Sequence, residues 1–137
     1  MARGEIFRWI AMPFAAFLGA GIGSMIIPWL IWLYHKYWIG YSEKGGCFLY
    51  VLPLFSHALF GWLFVIITCQ VAPRGKLISG VVMTTILGGA CLLQVVGEWQ
   101  RSGETTGEKI WSTILVSVAV VSAIITLAQN EDSTRLN

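Results

Sequence analysis

Charge is what this sequence has least of. Only 12% of its 137 residues are Asp, Glu, Lys or Arg, about half of the ~25% usual in soluble domains. Too little polar surface remains to coat a globule in water. Long apolar runs account for the deficit better than one large soluble core does, and the length fits one domain covering residues 1–137. The formal net charge is +2, nine basic residues against seven acidic ones. With no Lys/Arg cluster, nothing points to nucleic acid or to strong anionic-lipid recognition.

Paired cysteines are missing too. Cys47, Cys69 and Cys91 form no CxxC, and an odd number cannot pair fully within the chain. Cys47 and Cys69 are expected near opposite ends of one helix, beyond disulfide reach. All three read as small apolar fillers, so a thiol-oxidising four-span enzyme is excluded. No carboxylate lies inside an apolar run, which argues against a small proton-coupled exporter. Charged and amide residues within the runs are too sparse for a glutathione-type membrane transferase. HExxH, GxSxG and Asp-rich motifs are absent. The longest polar stretch, residues 98–109, has no histidine or cysteine and hence no metal-ligand spacing. The expectation is a protein that is not an enzyme and whose sequence requires no cofactor.

What is present is one theme repeated: apolar run, short polar turn, apolar run. Four runs predict an all-α, multi-pass bundle of transmembrane helices with short loops, spanning about residues 7–33, 47–69, 77–96 and 110–128. The first run is too long for the h-region of a signal peptide. At a rise of ~1.5 Å per residue it reaches ~40 Å, against ~30 Å for a hydrocarbon core. Tilt, projection or a kink at Pro13 or Pro28 is therefore expected. Pro53 is a further kink candidate, near the start of the second run. The link 70–76, with Pro73 and Gly75, makes spans two and three an antiparallel pair. Residues 98–109 read as a loop, and 129–137 as a frayed charged tail.

Small residues recur at helical spacing. Ala15, Gly19 and Gly23 share one face of the first span, and Ala16, Ala20 and Ser24 form the adjoining stripe. Gly80, Thr84 and Gly88 repeat the pattern on the third span, with Thr85 and Gly89 beside them. Such faces let helices approach closely where lipid removes the hydrophobic incentive to associate. Two uses are open: packing within the bundle, with span one meeting span three, or contact with a partner subunit or second copy.

Trp29, Trp32, Tyr34, Tyr37, Trp38 and Tyr41, interleaved with His35 and Lys36, predict an anchor at the membrane surface. A lipid or quinone headgroup site is the alternative. His57 is the one ionisable side chain, cysteines aside, well inside a span, ~15 Å deep by helix rise. Position makes it the candidate for binding a haem or pigment cofactor, or for relaying protons. The plainer reading is a neutral histidine hydrogen-bonded to a neighbouring helix. Gln94 and Glu98, beside Trp99, read as a solvated helix end or a cation entrance.

Four spans bring both termini to one side, with Arg3, Arg8, Arg74, Lys76 and Arg135. The other side holds Lys36, Lys44, Arg101 and Lys109. The bias of basic residues favours cytoplasmic termini. The functional expectation is a non-catalytic accessory or structural subunit of a larger membrane complex. Its partners would be the lipid bilayer and other membrane subunits or copies of itself, with no nucleic acid. Two alternatives stand beside it: a small homo-oligomeric channel or transporter, and a cofactor-bearing subunit of an electron-transfer or light-harvesting complex.

Overall fold

A computed structural model describes residues 3–39, 46–72, 75–103 and 105–135. These form four long helices: α1 (Arg3–Tyr34), α2 (Leu52–Val71), α3 (Lys76–Gln100) and α4 (Thr106–Arg135). Each is long and apolar enough to cross a membrane, and no strand occurs among the described residues. The protein is an all-α, four-helix membrane bundle, and its outward faces carry large apolar side chains all round.

Helix boundaries run past the apolar cores. α1 is 32 residues long and continues through both Pro13 and Pro28. A wider, π-helical turn at His35–Ile39 then carries the aromatic segment onward, and a second one, Cys47–Val51, leads into α2. Pro53 sits at the start of α2, directly after that π-helical turn, so its missing N–H leaves one helical bond unmade there. The loop expected at 98–109 is shorter than predicted. α3 reaches Gln100, and α4 begins at Thr106. α4 also continues through Arg135, so the tail expected to fray from residue 129 is helical over its described part.

The cause of the early α4 start is a capping box. The Thr105 N–H donates to Glu108 Oε2 (2.9 Å), as does its hydroxyl (3.0 Å), and the Glu108 N–H returns to Thr105 Oγ1 (3.4 Å). Reciprocal bonds of this kind satisfy donors that a helix start leaves open. Lys109 closes the other side of the turn, where its ammonium donates to the carbonyls of Arg101 (2.7 Å) and Trp99 (3.4 Å) at the end of α3. A cation there satisfies terminal carbonyls and opposes the negative end of the helix dipole. At the opposite end of the bundle, Gly75 precedes α3 with φ of 62°, a left-handed conformation that a Cβ penalises.

α2 is the central helix. α1 packs along one side of it and α4 along another, while α3 rests mainly on α4 and less extensively on α2. The core joins Met12, Ala16 and Ala20 of α1 to Phe64 and Val65 of α2, Met83 and Leu87 of α3, and Ala123 of α4. Phe17 meets the edge of Phe64 at 4.9 Å between ring centroids.

Candidate functional site

The small-residue faces are best followed from the contacts they make. On α1, Ala16 and Ala20 are fully buried, Ser24 is buried and Ala15 half-buried. Gly19 and Gly23 lie beneath α2. A Cβ at Gly19 would stand 2.6 Å from Ile67 Cδ1, and one at Gly23 would stand 2.5 Å from Leu63 Cδ1. Ser56 of α2 adds a hydrogen bond, its hydroxyl donating to the Ser24 carbonyl at 2.7 Å. The expected meeting of spans one and three is thus corrected. The face of α1 packs on α2, and α1 and α3 share no substantial interface. A glycine face specifies close approach but not the partner, and here the next helix in the chain takes the place.

On α3 the pattern divides. Gly80 sits beneath Leu127 of α4, with Cys69 of α2 alongside, and Thr84 is buried. Half a span further on, a Cβ at Gly88 or Gly89 would meet nothing within 4 Å. Gly88 forms part of an open groove of about 410 Å³ between α3 and α4, walled by Cys91, Val95, Thr113, Ser117 and Val120.

Among the described glycines, the closest approach to a neighbouring helix involves residues outside those faces. A Cβ at Gly61 of α2 would overlap the Ala119 carbonyl oxygen of α4 and come 3.1 Å from the Ala123 nitrogen. Beside it, the Ser122 hydroxyl donates across the interface to the Ala58 carbonyl (2.7 Å). Ala119 and Ala123 are themselves a small-residue pair at i, i+4, which was the available signal. A second groove, of about 640 Å³, opens between α2 and α4, lined by Phe55, Leu59, Trp62 and Val121 together with Ser117 and Thr126. Its hydroxyls are already committed: Ser117 donates to the Thr113 carbonyl and Thr126 to the Ser122 carbonyl (2.7 and 2.8 Å).

His57 lies on α2 in line with Gly61 and is half-buried. Its Nδ1–H donates to the Pro53 carbonyl at 2.8 Å, one turn back in the same helix rather than on a neighbouring one. With Nδ1 engaged in this way, Nε2 is the ring nitrogen left for any further contact. His35 makes the same bond to the Ile31 carbonyl (2.9 Å), so the arrangement is a local habit of helical histidine in this chain. Among the described residues, no group of three or more His, Cys, Asp or Glu is placed to hold a metal ion.

The aromatic segment gathers at the end of the bundle that carries the α3–α4 turn. Tyr34 stacks with Trp38 (6.2 Å), His35 meets the edge of Phe48 (6.1 Å) and Tyr50 meets the edge of Trp111 (5.1 Å). Lys36 lies over Trp32 at 4.5 Å. Trp29, Tyr34, Tyr37 and Trp38 are exposed, Trp32 is half-buried, and Tyr41 lies outside the described residues. Nearby, Trp99 Nε1 donates to Thr113 Oγ1 at 3.3 Å. Glu98 is half-buried, with one carboxylate oxygen shut from solvent and unpartnered.

No family model matches this chain, and no curated protein or solved structure is significantly similar to it.

Proposed function

We propose that the protein is a non-catalytic accessory subunit of a larger membrane complex. The observation that carries this reading is the division of the α3 face. Gly80 and Thr84 are used by the bundle, whereas Gly88 and Gly89 continue the same pattern with nothing packed on them. Small residues at an open groove are what a further transmembrane helix needs for close packing. In this reading a helix of another subunit lies between α3 and α4 over Gly88, with both termini cytoplasmic. The orientation rests on five basic residues at the terminal side against four opposite.

The test is extraction from native membranes in mild detergent, followed by the mass and composition of the particle. The chain is expected to travel with other membrane proteins. A Gly88→Leu variant should fold, because its site is open, yet separate from them. A lone monomer with an activity of its own would overturn the reading. A pure homo-oligomer would replace it with a small channel.

A further inference from the structure

α1 outruns α2 and α3. Its register on α2 is fixed by Gly19 beneath Ile67 and Gly23 beneath Leu63, so each turn up α1 is a turn down α2. At that register Ala72, which closes α2, stands opposite about residue 14 of α1. α3 starts at the same end with Lys76, and Lys76, Leu77 and Cys69 gather there with Leu127 and Asn130 of α4. Met12 is the last core residue of α1. The helix nevertheless begins at Arg3, leaving a projection of ~13 Å beyond Met12 at ~1.5 Å per residue.

This overhang is not polar. Phe7 is 72% exposed and Ile10 62%, and Ile6 and Trp9 are exposed as well. Phe7 and Ile10 are the first members of a strip that continues through Phe14, Leu18, Ile22 and Met25, all exposed, at steps of three or four residues. Over the middle of α1, no other helix covers the strip, and the hydrocarbon of the bilayer is its surroundings. The strip reaches past the level of Ala72 without a change in character. Arg8 and Trp9 lie within the overhang, and both residue types favour the headgroup level, where a ring or a long stem stays in apolar surroundings and a polar tip reaches water.

We propose that this overhang is a membrane-surface anchor, with Phe7 and Ile10 in the headgroup–acyl boundary of a phospholipid leaflet. The bilayer surface then lies beyond the start of α3, and Gly75 and Lys76 are recessed to headgroup depth, with the Lys76 ammonium reaching outward. Continuity with the lipid-facing strip favours lipid over a protein partner. A site for a soluble protein would interrupt the strip at the membrane surface with a polar rim.

The experiment uses the full chain in vesicles of phosphatidylcholine with a minority of phosphatidylglycerol. Nitroxide labels go at Phe7→Cys and Ile10→Cys in a background with the native cysteines replaced. Leu18→Cys serves as the mid-span reference and Gly103→Cys as the aqueous one. Collision with oxygen exceeding collision with a water-soluble nickel chelate, as at position 18, is the expected result. Nickel collision as frequent as at position 103 would overturn the anchor and leave the overhang free for a soluble protein. The unaltered chain supplies a second measurement, using a phospholipid with a carbene precursor high on its acyl chain. Photolabelling should mark the tryptic peptide of residues 4–8; an unmarked peptide, with the rest of α1 marked, would equally overturn the anchor.

Discussion

Gly61 of α2 and Ala119 of α4 approach so closely that a single methyl group on Gly61 would overlap the Ala119 carbonyl oxygen. The obstacle is backbone, which no rotamer change can move. Gly61→Ala must therefore part α2 from α4 and loosen the Ser122–Ala58 hydrogen bond beside the contact. Overpacking a tight interface costs about 1–3 kcal/mol. Unfolding by SDS titration in mixed micelles should show a loss in that range. Gly21→Ala is the control, since a Cβ there meets nothing within 4 Å. It should leave stability unchanged or raise it by up to about 1 kcal/mol, the usual helix preference for alanine over glycine.

The glycines of α1 should respond more mildly. Cβ atoms at Gly19 and Gly23 would meet the ends of Ile67 and Leu63, flexible side chains that can rotate away. Gly19→Ala is expected to cost less than Gly61→Ala and to be relieved by Ile67→Val, which removes the obstructing methyl. The double-mutant cycle should give a favourable coupling of about 0.5 kcal/mol or more. Additive effects would mean that α1 does not sit on α2 at this register.

Two serines join neighbouring helices to α2 from opposite sides, Ser56 to the Ser24 carbonyl and Ser122 to the Ala58 carbonyl. Interhelical hydrogen bonds in membrane bundles average about 0.6 kcal/mol. Ser56→Ala and Ser122→Ala should each destabilise by roughly that amount. The two losses should add, because the bonds share no partner. A loss above about 2 kcal/mol for either would mean that the serine supports more than one bond.

The four spans and their all-α, membrane character were legible in the apolar runs, because a bilayer permits few other solutions. Helix ends were less legible. Residues 98–109 read as a loop from their glycines and charges, although Thr105-x-x-Glu108 held the start signal for α4. Pairing was hidden for a different reason. Gly19, Gly23 and Gly80 announce close approach, but which helix approaches depends on how the spans are arranged around α2. Gly61 shows the limit most clearly. It is a lone glycine in an apolar run, and its importance is set by Ala119, 58 positions away. That His57 lies within the second span was readable from the apolar run, whereas its bond to Pro53 depends on a side-chain rotamer.

The α3–α4 turn offers a test in which two neighbouring contributions separate by their response to salt. Thr105 caps α4 through reciprocal hydrogen bonds with Glu108, and Lys109 caps α3 through the Arg101 and Trp99 carbonyls. Thr105→Ala should cost about 1 kcal/mol, the typical value of a lost N-cap, with little dependence on ionic strength. Lys109→Met removes a charge–dipole interaction that salt screens, so its cost should be largest in dilute buffer and shrink as salt is added. Glu108→Gln keeps an acceptor for the Thr105 N–H and should retain most of the cap, while Glu108→Ala should not. Amide hydrogen exchange at Thr105 and Glu108 reads the cap directly. Faster exchange is expected in Thr105→Ala and Glu108→Ala, and near-native protection in Glu108→Gln. Equal exchange in all three would show that the turn is held without the box, leaving Lys109 and the Trp99–Thr113 bond to hold it.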